Sequence, residues 1–412
     1  MRKGRGQEGI ALIITLLVMT ILLIMGSAFM SISSTETLIA INERNRLQAY
    51  HLAEAAAERA IAELNANPGY GGTGGAEVAL PAPPQAPVGT YTVAVTVTCA
   101  SGGAPPCPPA DPVRRIISTQ GCVRNCGPGS AQTRVEMVAE RRSQFPFGLL
   151  ALNLIELDGD GAQVDSYDSA LGDYGGTNTG SAGHVHSNNR ILMKSNNIIN
   201  GNAELGAGAV EYTGAGNVIT GTVTPGALPY SVVTDISYPA PGGYMTGVNP
   251  PAAYNGSTYD LTVGANQTVT LSPGTYSFNK ITIGANGQLA VSGPVTIYMT
   301  GQLLAGTGAV VNTSKLPTNL TIFSSKTGVD AMLFDEGTGE FYGGIYALNG
   351  EVEFQNAVSQ PVGWKIFGAI VAKEVDIESK ARFHYDLALG RASGPAARFG
   401  PVVGTWREVF SP

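Results

Sequence analysis

The sequence predicts a mainly β protein: a long amino-terminal α-helix, a small antiparallel sheet, and then a right-handed parallel β-helix or β-solenoid. Three observations carry this expectation. No charged side chain occurs from Gly9 to Thr35, a stretch longer than the roughly 20 apolar residues that cross a bilayer as a helix. Glycine accounts for 54 of 412 residues and charged residues for only 13%, about half the usual share of roughly 25%. A glycine-rich, charge-poor chain of this kind suits short strands separated by tight turns. The third observation is a set of apolar strings that recur at near-regular intervals toward the carboxy terminus.

Composition sets the outer limits. Hydrophobic residues make up 43%, enough to build cores and exclude wholesale disorder, and 412 residues imply two or three domains. A net charge of −7 with scattered basic residues excludes the basic face that a nucleic-acid binder needs. Residues 1–146 hold 12 Lys+Arg and 10 Asp+Glu (net +2), and residues 147–412 hold 12 and 21 (net −9). The change follows the string "ERRSQFPFG" and marks a domain boundary. The expected division is a basic leader at 1–9, a helix at 10–67, a small β head at 68–146, a solenoid at 147–390, and a tail or cap at 391–412.

The helix comes first. "IALIITLLVMTILLIMGSAFMSI" is long enough to span a bilayer, and the basic residues before it would hold that end in the cytoplasm. A cleaved secretory signal would have a shorter apolar stretch, followed by an A-x-A-like site that this sequence lacks. The helical pattern continues past the apolar run until Asn67, Pro68 and Gly69 stop it. Leu38, Ile41, Leu52, Ala56 and Ile61 form a broken apolar stripe along this second half. A helix from Ile10 to Asn65 would be about 84 Å long at 1.5 Å per residue, a length that suits a filament core better than a globular domain. The alternative is a plain single-span anchor.

The string "GIALIITLLVMTILLIMGSAFMSISSTETLIAINERNRLQAYHLAEAAAERAIAEL" resembles the amino-terminal module of PilX-type pilus assembly proteins, within the type IV pilin and pseudopilin superfamily. The basic leader ending in Gly9 and the stretch "NERNRLQAYHLAEAAAERA" carry the resemblance, which covers residues 1–65. It implies cutting by a prepilin peptidase between Gly9 and Ile10, with Ile10 as the mature first residue. It also implies an assembly surface along Ile10, Leu12, Ile14, Leu16, Leu17, Ile21, Leu22, Ile24 and Phe29. Major pilins carry Glu five residues into the mature chain, where this sequence has Ile14. In that respect the chain resembles tip or minor members. The implied partners are other pilins or pseudopilins, the prepilin peptidase and an inner-membrane assembly platform. The implied location is the inner membrane of a Gram-negative cell, with periplasmic domains that reach the pilus or cell surface after assembly.

After a Gly/Pro-rich connector at 68–88, "TYTVAVTVT", "RRIISTQGCV" and "TRVEMVAERR" read as three strands of an antiparallel meander, the order expected of a pilin-like head. Cys99, Cys107, Cys122 and Cys126 all fall within it. Four cysteines allow three pairings, and spacing does not choose among them. The separations fit a zinc site poorly. Behind an exported segment, two disulfides are expected, in an oxidising compartment.

The carboxy-terminal half carries the repeats. "LTVGANQTVTL" and "ITIGANGQLAV" align Leu261 with Ile281 and Asn266 with Asn286, a spacing of 20. "YGGIYALNGEVEF" and "FGAIVAKEVDI" align at 23 to 25. One solenoid coil needs about this length, with Gly and Asn at the corners. A jelly roll or sandwich would give regular strands without the repeated strings. Residues 147–390, with "LDGDGAQVDSYDSALGDYGG" and "FHYDLAL", resemble a solenoid-like module found joined to PilX-type amino termini. That resemblance implies architecture and envelope context, but no chemistry.

Candidate chemistry is sparse. Asp158, Asp160, Asp165, Asp168 and Asp173 are the densest carboxylate cluster. "DGDG" on a loop could offer calcium ligands, although Asp-Gly is also ordinary turn chemistry. His184 and His186 would share one strand face and could chelate a metal, without an evident third ligand. His384, beside Tyr385 and Asp386, reads as part of a capping hydrogen-bond network. Solvent-facing Tyr167, Tyr174, Tyr212 and Trp364 could stack on sugars, or could equally be core and turn residues. No nucleophile elbow, phosphate loop or metalloprotease motif is present. No catalytic residue and no cofactor is therefore expected, calcium being the one candidate ion. The expected function is that of a minor pilin-like assembly component displaying its solenoid for assembly or adhesion, with a surface or glycan target. The alternative is a membrane-anchored β-helix glycan binder or carbohydrate-active enzyme that never enters a filament.

Overall fold

The computed structural model describes residues 7–67, 69–79, 89–99, 113–123, 125–230, 232–234, 236–242, 247–335, 337–356, 361–391, 398–402 and 404–409. The chain forms two units, residues 1–141 with 399–412, and residues 142–398. Most of the leader and Cys107 lie outside the described residues, as do the side chains of Ile10 and Cys99, and only the backbone of Gly9 is described.

In the first unit, helix α1 runs from Gln7 to Ala66 without interruption. Four strands follow: β1 (Val78–Ala79), β2 (Gly89–Cys99), β3 (Val113–Val123) and β4 (Gln132–Arg142). They pair antiparallel in sequence order, because alternating apolar residues give each strand one buried face. Tyr91, Val93, Ile117, Val135, Met137 and Ala139 are all buried. Residues expected to form a tail do more than that: Arg398–Pro401 and Arg407–Val409 both pair with β4. The three-stranded meander is thus completed from the far end of the chain.

The helix packs on this sheet through an alanine face. Ala49, Ala53, Ala56, Ala57, Ala60 and Leu64 are buried, at the three- and four-residue spacings of one helix side. Leu38 and Ile41, expected to share a stripe with them, are exposed. Small residues win because the backbones approach closely: a Cβ on Gly121 of β3 would collide with the Ala49 carbonyl oxygen and the Ala53 nitrogen. At the same crossing, Thr119 donates a 2.8 Å hydrogen bond to the Ala53 carbonyl.

The second unit is a parallel β-solenoid with a discontinuous winding order. Strands β5 (Leu149–Asp160) and β6 (Gln163–Tyr167) begin it in the middle. From them coils stack outward in one direction, through Val185–Ser187 and Arg190–Ser195 to Ala203–Leu205 and Val223–Thr224. The chain then reappears at the opposite end and winds back toward its start. Asp260–Val263 pairs with Ile281–Ile283, that with Leu303–Ala305, and that in turn with Gly328–Phe334. The last coils are β7 (Glu340–Phe354), β8 (Lys365–Ile377) and β9 (Arg382–Asp386). Strand β8 pairs with β5 and β9 with β6, so two separately wound stacks share one continuous core.

The crossing segment lies against the solenoid as a strap. Tyr230 N–H donates to Asn188 Oδ1 at 2.7 Å, Tyr346 Oη donates to the Val233 carbonyl at 3.0 Å, and Tyr238 Oη donates to the Ser324 carbonyl at 3.1 Å. At the corners, Asn266 and Asn286 hold φ of 56° and 54°, a left-handed conformation that Asn tolerates better than most residues. Their equivalence repeats the 20-residue spacing, and Leu261 lies in register with Ile281.

Candidate functional site

Two regions carry functional potential: the exposed half of α1 and the outward rows of the solenoid. Along α1, Leu12, Ile14, Leu16, Leu17, Ile21, Leu22, Ile24 and Phe29 are all exposed, between 47% and 70%. This is the one described helix long and apolar enough to cross a membrane. Several of its hydroxyls bond back to the helix: Thr20 donates to the Leu16 carbonyl, Ser27 to Ile24, and Thr35 to Ser31. A charge-free helical stretch whose hydroxyls bond back to its own carbonyls can sit in lipid, or bury the same surface against other helices.

In the head, Cys122 and Cys126 form a disulfide with Cα atoms 5.1 Å apart, which closes the β3–β4 turn.

On the solenoid, residues scattered in sequence are gathered into rows by the rung register. The first row is acidic. Glu353, Asp376 and Glu156 are neighbours on β7, β8 and β5, and Glu351 lies beside Glu374. Burial drives the Asp376 carboxyl up to about 8, helped by the charges of Glu156 and Asp158. Burial likewise pushes Glu353 up to about 7, with Asp330 and Glu351 adding to the shift and the hydrogen bond from Gln355 opposing it. Asp330, Glu351 and Glu353 place carboxylate oxygens within 4.8 Å of one another, close enough to share a cation. The proposed calcium loop is not a loop: Asp158 and Asp160 stand on strand β5. Asp158 is paired with the Lys194 ammonium, and Asp160 accepts from Asn196 at 2.6 Å. Cross-rung pairing has turned turn-forming sequence into strand.

The histidines serve separate networks. His186 is buried and meets Glu204 at 3.2 Å and Asn188 at 2.9 Å, while His184 Nδ1 accepts from the Asn202 backbone N–H. His384 does sit in a hydrogen-bond network, but its neighbours Tyr385 and Asp386 turn to other partners. His384 Nδ1 lies 2.6 Å from Asp165, Tyr385 Oη donates to the Phe145 carbonyl, and Asp386 accepts from Ser169.

The second row is aromatic. Tyr342, Phe367, His384 and Asp165 are neighbours on β7, β8, β9 and β6. The Tyr342 and Phe367 rings stack in parallel at 4.5 Å, and Tyr174 lies over His384 at 3.7 Å. Of the four aromatics singled out from the sequence, Tyr167 and Tyr174 meet here. Tyr212 is exposed elsewhere, and Trp364 is buried in the core, donating from its indole N–H to the Asp335 carbonyl. Sequence reasoning missed Tyr342 and Phe367, although the aligned strings "YGGIYALNG" and "FGAIVAK" place them at equivalent positions.

Residues 8–58 match the family model described as PilX N-terminal, and residues 255–392 match a domain of unknown function, DUF7305. Similar solved structures include an ice-binding protein from an Antarctic biological consortium, at 15% identity, covering 58% of this chain and 87% of that one, with a TM-score of 0.32. The ice-binding protein of the Antarctic ascomycete Antarctomyces psychrotrophicus gives 12% identity, 59% and 96% coverage, and a TM-score of 0.29. The competence-associated pilin ComZ from Thermus thermophilus gives 10%, 89% and 97%, and 0.25. Scores this low carry no argument. No curated protein matches the chain. Residues 8–58 are thus similar to the amino-terminal module of PilX proteins, and the solenoid that follows contains a match to a domain of unknown function.

Proposed function

We propose that this chain is a minor pilin-like component of a type IV pilus system. In this reading α1 anchors the chain in the inner membrane, the prepilin peptidase cuts between Gly9 and Ile10, and the assembly platform passes the mature chain into a filament. The solenoid is then displayed at the filament tip, and the work of the protein is assembly and presentation rather than catalysis.

One observation carries the reading. α1 is divided into an exposed, charge-free half and an alanine-faced half seated on the head sheet. A simple anchor needs the first half only. A subunit that must leave lipid and bury the same surface among other helices needs a rigid continuation into its head. Ile14, in place of the acidic residue of major pilins, favours a minor subunit, and a unit spanning 142–398 would crowd every position of a regular shaft. Immunogold labelling of sheared filaments carrying an epitope-tagged chain tests this. Label confined to filament ends is expected; label along the shaft, or none, would contradict the reading.

A further inference from the structure

The aromatic row does more than join rungs. Tyr167, Asp173, Tyr174, Lys315, Tyr342 and Phe367 line a cleft of ≈ 180 Å³ on the side of the solenoid. Pockets for drug-sized ligands start at about 300 Å³, so this one has room for a single ring-sized group. Its inner surface is aromatic: Tyr342 and Phe367 stack in parallel, and Tyr167 and Tyr174 each meet Phe367 edge-on at 5.8 and 5.9 Å. Its polar groups carry both signs, because Asp173 and Lys315 are exposed and the Lys315 ammonium lies 5.9 Å from the Tyr342 ring centre.

The phenol hydroxyls separate the cleft from an ordinary aromatic staple. Tyr174 donates to Asp165 at 2.7 Å and Tyr342 donates to Glu340 at 2.9 Å. Tyr167 is only 4% exposed, and its hydroxyl is closed off from solvent without a hydrogen-bond partner. Buried hydroxyls almost always find partners. The loop carrying Asp173 and Tyr174 is already fixed in place. Arg391 clasps Asp168 with two 2.7 Å contacts, Asn178 donates to the carbonyls of Asp168, Gly172 and Asp173, and Ser169 donates to Asp386. A preorganised loop spends little ordering entropy on binding.

We propose that this cleft binds one pyranose ring of a glycan. A sugar ring has an apolar C–H face, which would lie against Tyr174, the one lining ring that is only half-buried, and hydroxyls around its edge that both donate and accept. Asp173 would accept from those hydroxyls and Lys315 would donate to them, both being exposed in the lining. A quaternary ammonium ligand would also suit aromatic walls, but the Lys315 ammonium, 5.9 Å from the Tyr342 ring centre and 3.7 Å from Glu340, already fills that role beside Tyr342. A phosphate is opposed by Asp173 and by Glu340 beside Tyr342. The proposal holds whether or not the chain enters a filament.

Saturation-transfer NMR on the full chain in amphipol tests it, with the methyl pyranosides of glucose, galactose, mannose, N-acetylglucosamine and glucuronic acid as probes. At least one should receive saturation, strongest on one ring face. Affinity should fall at least about tenfold in Asp173→Asn and Tyr174→Ala, and should survive in Tyr174→Phe, which keeps the ring. Tyr212→Ala, outside the cleft, should leave binding unchanged. No transfer to any pyranoside would overturn the proposal, as would transfer that Asp173→Asn and Tyr174→Ala leave intact. Tetramethylammonium binding in place of the sugars would overturn it too.

Discussion

Asn153 on β5 donates a side-chain hydrogen bond of 2.8 Å to Glu374 on β8, a residue 221 positions further along the chain. The contact sits on the seam where the two stacks of the solenoid meet. Neither stack is complete without the other, since β5 has β8 on one side and the coil at 185–195 on the other. Folding of this unit must therefore wait for its most distant strands, a topology of high contact order.

The seam predicts where the solenoid is most sensitive. Ile370 lies in register with Leu149, and both are fully buried. Ile370→Ala should cost about 2–5 kcal/mol. Urea unfolding of the whole chain, followed by near-ultraviolet circular dichroism, would measure it. An unchanged midpoint would show that the seam is not packed as described.

The acidic row predicts a dependence on pH. Glu353 and Asp376 hold their protons more tightly in the folded chain, to about 7 and about 8, than in the unfolded chain, where carboxyls titrate near 4. Their contribution is thus fully present below about pH 4 and is lost as pH rises through 7 and 8. Around them stand Asp330, Glu351, Glu374, Glu378, Glu156 and Asp158, with Lys194 and Lys373 as the nearby cations. Asp376→Asn should stabilise the unit at pH 8.5 by about 1–3 kcal/mol and change little at pH 4.5. Thermal melts across that range give the answer, and equal effects at both ends would sink the assignment.

The head predicts a strict requirement for glycine at 121. A side chain there would strike the helix backbone at Ala49 and Ala53, and neither backbone can move aside as a side chain could. Gly121→Val should destabilise the head by about 3 kcal/mol and speed amide exchange at residues 49–60. Wild-type exchange in the variant would mean that the helix does not seat on β3.

The disulfide predicts a smaller effect. It closes only four residues of separation, and short loops contribute least, so Cys122→Ser should cost about 2 kcal/mol. The midpoint should shift in the same direction when the wild type is reduced. A loss of all head structure would show that the pair does more than close the turn.

Much of this architecture was legible in local patterns. The 20-residue spacing of Leu261 and Ile281 is a physical register, and the spacing of 25 for Tyr342 and Phe367 becomes 23 for Glu351 and Glu374 because the register shifts between Ala347 and Glu351. What stayed hidden depended on distance along the chain. Nothing near Leu149 says that its neighbour is Ile370, so neither the midway start of the solenoid nor its rows could be read. The helix face was only partly read: Ala56 and Ile61 of the expected stripe pack on the sheet, but Ala49, Ala53, Ala57 and Ala60 were passed over because close packing there selects alanine rather than large apolar residues. The return of Arg407–Val409 to β4 has no local signal at all.

The central claim is that the chain enters the pilin pathway, and processing of the amino terminus tests it most directly. The protein should be purified from cells with and without the prepilin peptidase, and its amino-terminal sequence and intact mass determined. The account predicts a mature chain beginning at Ile10 when the peptidase is present and an uncut chain when it is absent. A chain that keeps its leader in both strains would contradict it.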